Sequence, residues 1–472
     1  MKKFFCLLLF FVFLTCSATE DKRKAFQHYY YSGKYTEAHA ILQQAFTEPL
    51  TRQIWEERLH LQEDFPGCTE TGSNPSARAT AMLRIGLIEN AKQEFTTDWL
   101  SFLGRATIAG WQNDFQMARN YLRQAIRLHP DDSDLLYYAG TFADNDAESL
   151  DFFQRYLKSK SVDSTKKSSA KQRVEFIKKT QGVRLNLSNI PTPVETIESE
   201  FNDKRLLINA KIDKQNDVVL LLDTGAAGLS LKDRNWKARN ATDFAMIGLG
   251  SKQRARGALV VFDHFSAGRF QVENPVAAIS KALNGSGIDG IAGSIIFSQF
   301  NMVLPMSNDA DVILSSLDSK DLLAHLESKG THYERKVTLP FYQVGKMIIL
   351  KGQIKKSDKE MDMLLDTGAQ TSIVSAAAAR RYVHINYPKT FREKGKVRLS
   401  GIGGGIDNII HLDNVDIEIG PLKKSFNRMV ALNLAQISET LDLEVDLILG
   451  QDFLRGYTLL LDYKNNEVTF LS

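Results

Sequence analysis

The sequence predicts a multidomain α + β protein, with an N-terminal α-helical repeat-like domain followed by a mainly β region. Three observations carry that prediction. From about Asp21 to Lys158 apolar residues recur with a period near 3.6 and without β-branched alternation. Past NIPTPVETIESE the period drops to two, in segments such as RLLINAKI, VVLLLD and ALVVFDHF separated by glycine turns. Within this second region one set of elements occurs twice in the same order. The 472 residues allow two to four such domains. A formal charge of +3 is too small for a chain of this size to argue for nucleic acid or acidic lipid as a partner. No basic run is interleaved with aromatics in the way a nucleic-acid groove requires.

The first residues, MKKFFCLLLFFVFLTCSATED, place two lysines before an apolar run from Phe4 to Leu14 and then small residues. That run is short for a bilayer span and fits a signal peptide. Cleavage after Ala18 would make 1–18 the signal peptide and the protein an exported one, whether periplasmic, cell-surface or secreted. The alternative is a lipoprotein anchored at Cys16, and the plainest reading is an uncleaved apolar N-terminus. Cys6 and Cys16 lie in or beside this segment, which leaves Cys68 and no internal disulfide framework. Without CxxC or HExxH spacing no zinc site is expected. GLGSK from Gly248 lacks phosphate-loop spacing, so neither a metal nor another cofactor is expected.

Residues 19–180 are read as the helical domain and its linker. SGKYTEAHAILQQAFTEP (Ser32–Pro49) and QNDFQMARNYLRQAIRLHP (Gln112–Pro130) share one skeleton. Aligning Gly33 with Asn113 brings Tyr35 onto Phe115, Ala38 onto Ala118, Leu42 onto Leu122 and Ala45 onto Ala125. ADNDAESLDFFQRYL reads as a third, degenerate helix. This resembles the second helix of tetratricopeptide repeats, where small alanines let paired helices approach and proline stops the helix. The resemblance implies a groove for a protein partner rather than chemistry. The Ser/Lys-rich stretch from Ser159 reads as a solvated linker or a helix start.

In the β region, NDVVLLLDTGA ends at Ala226 and KEMDMLLDTGA ends at Ala369. Aspartate is a poor strand former, so a buried strand that delivers one into a glycine turn calls for a reason. Each copy is followed by a glycine-rich hairpin, MIGLGS around Gly248 and Gly250 and LSGIGGG with Gly401, Gly403 and Gly404. Next comes an apolar strand closed by glycine, GIDGIAGSIIF with Gly290 and VDLILGQDFL with Gly450. A closing strand ends each set, FNMVLPM and YTLLLDYKNNEVTFLS. The two aspartates are 366 − 223 = 143 residues apart, so the unit is a small β-domain. The copies are assigned to 195–325 and 330–472.

This doubled pattern resembles the aspartic proteases, in the retropepsin-like style with Ala after Asp-Thr-Gly and duplicated in one chain as in pepsins. The resemblance implies a bilobal fold of two retropepsin-like β half-barrels and an endopeptidase acting on a peptide or protein substrate. Asp223 and Asp366 would face each other and hold the attacking water, so a monomer suffices. Two close carboxylates share a proton because both cannot easily ionise. Thr224 and Thr367 would bond across the axis, while Gly225 and Gly368 let the backbone turn. Gly248, Gly250, Gly401, Gly403 and Gly404 would belong to flaps over the substrate. Ala226 and Ala369 stand where pepsins carry Ser or Thr, which implies a mildly acidic to neutral optimum. The first copy departs further. It lacks the Thr-Ser of DTGAQTSIV and has Pro305 where the second has Asp462. The alternatives are a non-catalytic peptide-binding protein that keeps the cleft, with the helical repeats as interaction scaffold, and a scaffold whose aspartates merely cap turns.

Overall fold

The computed structural model describes residues 20–62, 74–159, 164–202, 205–246, 255–284, 287–307, 311–355, 357, 359–386, 399–401, 404–406 and 410–472. The segment 1–18, and with it the signal-peptide and Cys16 expectations, lies outside these residues, as does Cys68.

The helical region is built on a recurring turn. Gly33, Gly86 and Asn113 all adopt positive φ, at 71°, 79° and 61°. Around each the hydrogen bonds are the same. Lys34 N–H donates to Tyr29 O, Leu87 N–H to Met82 O and Asp114 N–H to Asp114's fifth predecessor, Ala109 O. The helices that follow, Tyr35–Ala45, Ile88–Glu94 and Phe115–Leu128, bury Ala38, Ala91 and Ala118 completely. Two of these turns match the aligned pair. The third, at Gly86 in RIGLIENAKQEF, is a copy the sequence reading missed, because its helix has only seven residues and follows a Pro-containing interruption. Pro49 does not simply stop a helix; it opens the next one, Pro49–His60, with Glu48 as the cap. The Ser/Lys-rich stretch becomes the helix Ser164–Thr180.

The β region contains two sheets with one strand order. In the first, Arg205–Ile212, Asn216–Asp223, Gly290–Gly293, Leu229–Lys232, Val276–Ser280 and Ala255–Val261 lie side by side. In the second, the corresponding row is Met347–Ile354, Met361–Leu365, Leu447–Leu449, Ile373–Ser375, Leu422–Leu432 and Ile410–Ile419. Parallel and antiparallel pairings alternate identically. Leu220 pairs with Gly290 in parallel, as Met363 does with Leu447. The first sheet also takes in Leu187–Asn189, paired with Phe270–Glu273, so its strands begin before residue 195.

The two closing strands do not finish their own copies. Asn301–Pro305 and Thr458–Asp462 pair with each other, in the middle of a six-stranded sheet that also holds Lys336–Pro340, Glu467–Leu471, Val312–Ser315 and Val194–Ile197. One core runs through both copies beneath this sheet, from Leu220 and Leu222 to Met363, Leu449 and Leu461.

The helical region packs on the outer face of the second sheet. Alternation along the strands explains how. Ile348 and Leu350 face the shared core, whereas Ile349 faces the helices; Leu364 and Ile448 likewise join Met82, Ile88, Ala91, Ile108 and Trp111. With both faces covered, these strands read as unbroken apolar runs. Burying each such side chain contributes about 1.5–3 kcal/mol. One face of the helical region is thus occupied by its own chain.

Candidate active site

Each Asp-Thr-Gly loop follows an interior strand of its sheet, paired on both sides. Thr224 and Thr367 are almost fully buried, 3% and 0% exposed, and bond reciprocally. Thr224 N–H donates to Thr367 Oγ1 at 3.0 Å and Thr367 N–H to Thr224 Oγ1 at 3.1 Å. Each hydroxyl then donates across the axis, Thr224 to Leu365 O at 2.7 Å and Thr367 to Leu222 O at 2.9 Å. Four bonds thus tie the loops at the same depth in both copies.

That tie brings Asp223 and Asp366 together, half-buried, each carboxyl close against the glycine of the opposite loop. Burial and the facing Asp366 push Asp223 well above the ordinary carboxylate range. Burial also raises Asp366, against hydrogen bonds from the Ala369 and Gly368 amides. Asp366 Oδ1 accepts from Gly368 N–H at 2.9 Å and Ala369 N–H at 2.8 Å; Asp223 Oδ1 accepts from Gly225 N–H at 2.8 Å. Two carboxyls in such proximity do not both ionise easily.

The glycines serve a different end from the one expected. Neither Gly225 nor Gly368 has positive φ. A Cβ on Gly225 would overlap the Asp366 carboxyl, and one on Gly368 would overlap that of Asp223. Close approach across the axis, not the turn itself, requires glycine here.

Behind the loops the two copies differ. Gln451 N–H donates to Ala369 O at 2.8 Å and its side-chain amide to Thr367 O at 2.6 Å. Ser294 fills the same place in the first copy, with N–H to Ala226 O at 3.0 Å and its hydroxyl to Thr224 O at 3.4 Å. The second loop has a further brace, since Asp452 accepts from Thr371 Oγ1 at 2.8 Å, Ser372 N–H at 2.8 Å and Ser372 Oγ at 2.5 Å. Gly228, Leu229 and Ile295 hold those positions in the first copy and offer no such side chains. The glycine equivalent to Gly450 is Gly293 rather than Gly290: a Cβ on either would strike the loop carbonyl of Ala369 or Ala226. Sequence reasoning missed Ser294, Gln451 and Asp452. Their signal was the residue pair after the strand-closing glycine, SI in one copy and QD in the other.

Of the expected flap glycines, Gly401 and Gly404 are register partners in a two-stranded hairpin, Leu399–Gly401 with Gly404–Ile406. Gly403, Gly248 and Gly250 lie outside the described residues. The hairpin arms that lead to the latter two, Arg239–Met246 and Ala255–Val261, pair antiparallel. Among the described residues no cluster of His, Cys, Asp and Glu could hold a metal ion.

The strand order occurs twice, and each copy ends its central motif in an Asp-Thr-Gly loop locked to the other. Residues 346–462 match the family model of the retroviral aspartyl proteases, so this segment is similar to a retropepsin-like domain. Among solved structures, the aspartic proteinase from Irpex lacteus is similar over 59% of this chain and 97% of its own, at 11% identity and a TM-score of 0.40. No curated protein matches the chain.

Proposed function

We propose that the chain is an aspartic endopeptidase with an intramolecular Asp223/Asp366 dyad, formed by two half-domains at about 195–325 and 330–472. The observation that carries this reading is the reciprocal Thr224–Thr367 bonding, with each carboxyl close against the glycine of the opposite loop beyond it. A dyad holding one proton pairs an ionised carboxylate with a neutral one. The first takes a proton from a water as its oxygen attacks the peptide carbonyl carbon. The second gives its proton to the carbonyl oxygen, which yields a tetrahedral diol. The newly protonated carboxyl then gives its proton to the amide nitrogen, while the other carboxylate takes one from a diol hydroxyl. The C–N bond breaks, the carbonyl re-forms and the dyad again holds one proton. Burial raises both carboxyls and the facing Asp366 raises Asp223 further, which favours retention of one proton by the pair. The glycine hairpin at Gly401–Gly404 serves to cover an extended substrate. The N-terminal segment makes this an exported enzyme, soluble or lipid-anchored at Cys16.

A second reading, a peptide-binding protein without turnover, is favoured by the thinner bracing of the first loop. One experiment separates them. Purified residues 19–472, with Asp223→Asn and Asp366→Asn variants, are given a mixed peptide library between pH 3 and 8 and read by mass spectrometry. Cleavage by the wild type and silence of each variant supports the shared dyad. Binding without cleavage in all three overturns it in favour of the recognition module.

A further inference from the structure

The helix Ser164–Thr180 links two places that are remote in sequence. Near its start, Lys166 Nζ lies 2.7 Å from Asp134 Oδ1 and 3.9 Å from Asp442 Oδ2, over the rings of Tyr137 and Tyr138. Ser169 Oγ accepts from Tyr137 OH at 3.3 Å, and Ala170 is fully buried against Phe153 and Tyr156. Asp442 belongs to the second β copy, five residues before the strand Leu447–Leu449 that flanks the Asp366 strand. It is fixed there by an ion pair with Arg84, by Arg84 Nη1 to its own carbonyl at 2.9 Å, and by Tyr138 OH at 2.5 Å.

The other end of the helix meets the first copy. It packs on Arg239–Met246, and Lys179 Nζ donates to Ala241 O. That strand is the outermost of its sheet, paired only on its inner side, to Ala255–Val261. It is also the arm of the first glycine hairpin. A single-sided edge strand is held by ladder bonds on one side only, and a helix of 17 residues, about 25 Å long, supplies a second support.

We propose that the Ser164–Thr180 helix is a strut, latched at Lys166 to Asp134 of the helical region and, at 3.9 Å, to Asp442 of the second copy, that positions the first hairpin arm and so makes the helical region part of the substrate-binding apparatus. Its consequence for substrate rests on the protease reading; its consequence for the arm does not. Lys166 and Lys179 act through the arm and are positioning residues. Lys166→Ala removes the latch and Lys166→Arg keeps the charge.

The test is hydrogen exchange on the full chain, followed at 239–246, at 164–180 and, as a reference, at 347–354. Lys166→Ala is expected to speed exchange at 239–246 about tenfold while 347–354 is unchanged, and Lys166→Arg restores protection. Faster exchange at 164–180 with 239–246 unchanged overturns the strut. In peptide cleavage, Lys166→Ala is expected to raise KM several-fold with kcat kept; an equal fall in kcat with KM kept overturns the positioning role. If Lys166→Ala does not fold, Lys179→Ala, at the exposed end, is read at the same arm with the same two outcomes. Absence of cleavage by the wild type would defeat the protease reading and leave the exchange result to decide the strut.

Discussion

Lys351 Nζ lies 2.6 Å from Asp362 Oδ1 and donates to Gly86 O at 2.6 Å, so one ammonium joins a buried carboxyl of the second sheet to a turn of the helical region. Burial outweighs this cation and lifts the Asp362 carboxyl to about 6. Its folded pKa therefore lies above the unfolded value of about 3.9, and between these values the folded state binds the extra proton. Stability from this group is present at low pH and is lost as pH rises through 6. Asp362→Asn should thus gain on the wild type by about 2 kcal/mol between pH 4 and 7. Urea unfolding of both proteins at the two pH values checks this, and a constant difference would refute it.

Thr224 and Thr367 should tolerate serine but not valine. Thr367→Val leaves the Thr224 amide buried and without its acceptor, at about 1–3 kcal/mol. We expect Thr367→Ser to keep cleavage and Thr367→Val to lose at least tenfold in kcat. Steady-state kinetics and a melting curve for each variant give the answer.

Gly225→Ala and Gly368→Ala should each displace the opposite carboxyl and abolish turnover, with only a modest loss of Tm. The same substitution at Gly182, which has open space around it but positive φ, is a control for backbone effects alone. Turnover retained in Gly225→Ala would refute the close approach of Gly225 to the Asp366 carboxyl.

Removing the helical region should not release a soluble protease unit. The outward face of the second sheet would expose Ile349, Leu364, Ile373 and Ile448, and Glu444 would lose Arg58, its partner at 3.0 Å. Leaving one member of such a buried pair alone costs about 3–5 kcal/mol. Expression of residues 187–472 alone is expected to give aggregated protein; a monodisperse product would refute this. Arg58→Ala in the full chain should lower stability by a similar amount, which chemical denaturation measures.

Much of the site was legible because its chemistry is local. A strand pattern ending in Asp-Thr-Gly, present twice with the same followers, marked Asp223 and Asp366, and the flanking threonines and glycines came with them. The aligned alanines also marked two of the recurring helical turns, since a small residue at one face is visible in any window of sequence. What failed locally was the third turn at Gly86, whose helix is too short to show a period.

Other features could not be read because they depend on partners remote in the chain. The reason Gly368 must lack a side chain is Asp223, 145 residues away, and the reason Ser372 matters is Asp452. Nothing in the helical sequence announces that its apolar face meets Ile349, or that Glu444 waits for Arg58. Periodicity specifies that a face is buried but not against what. The residue order therefore determined the elements and the reactive side chains, while the tertiary structure alone decided which faces met, which charges were paired, and that the two half-sites became one.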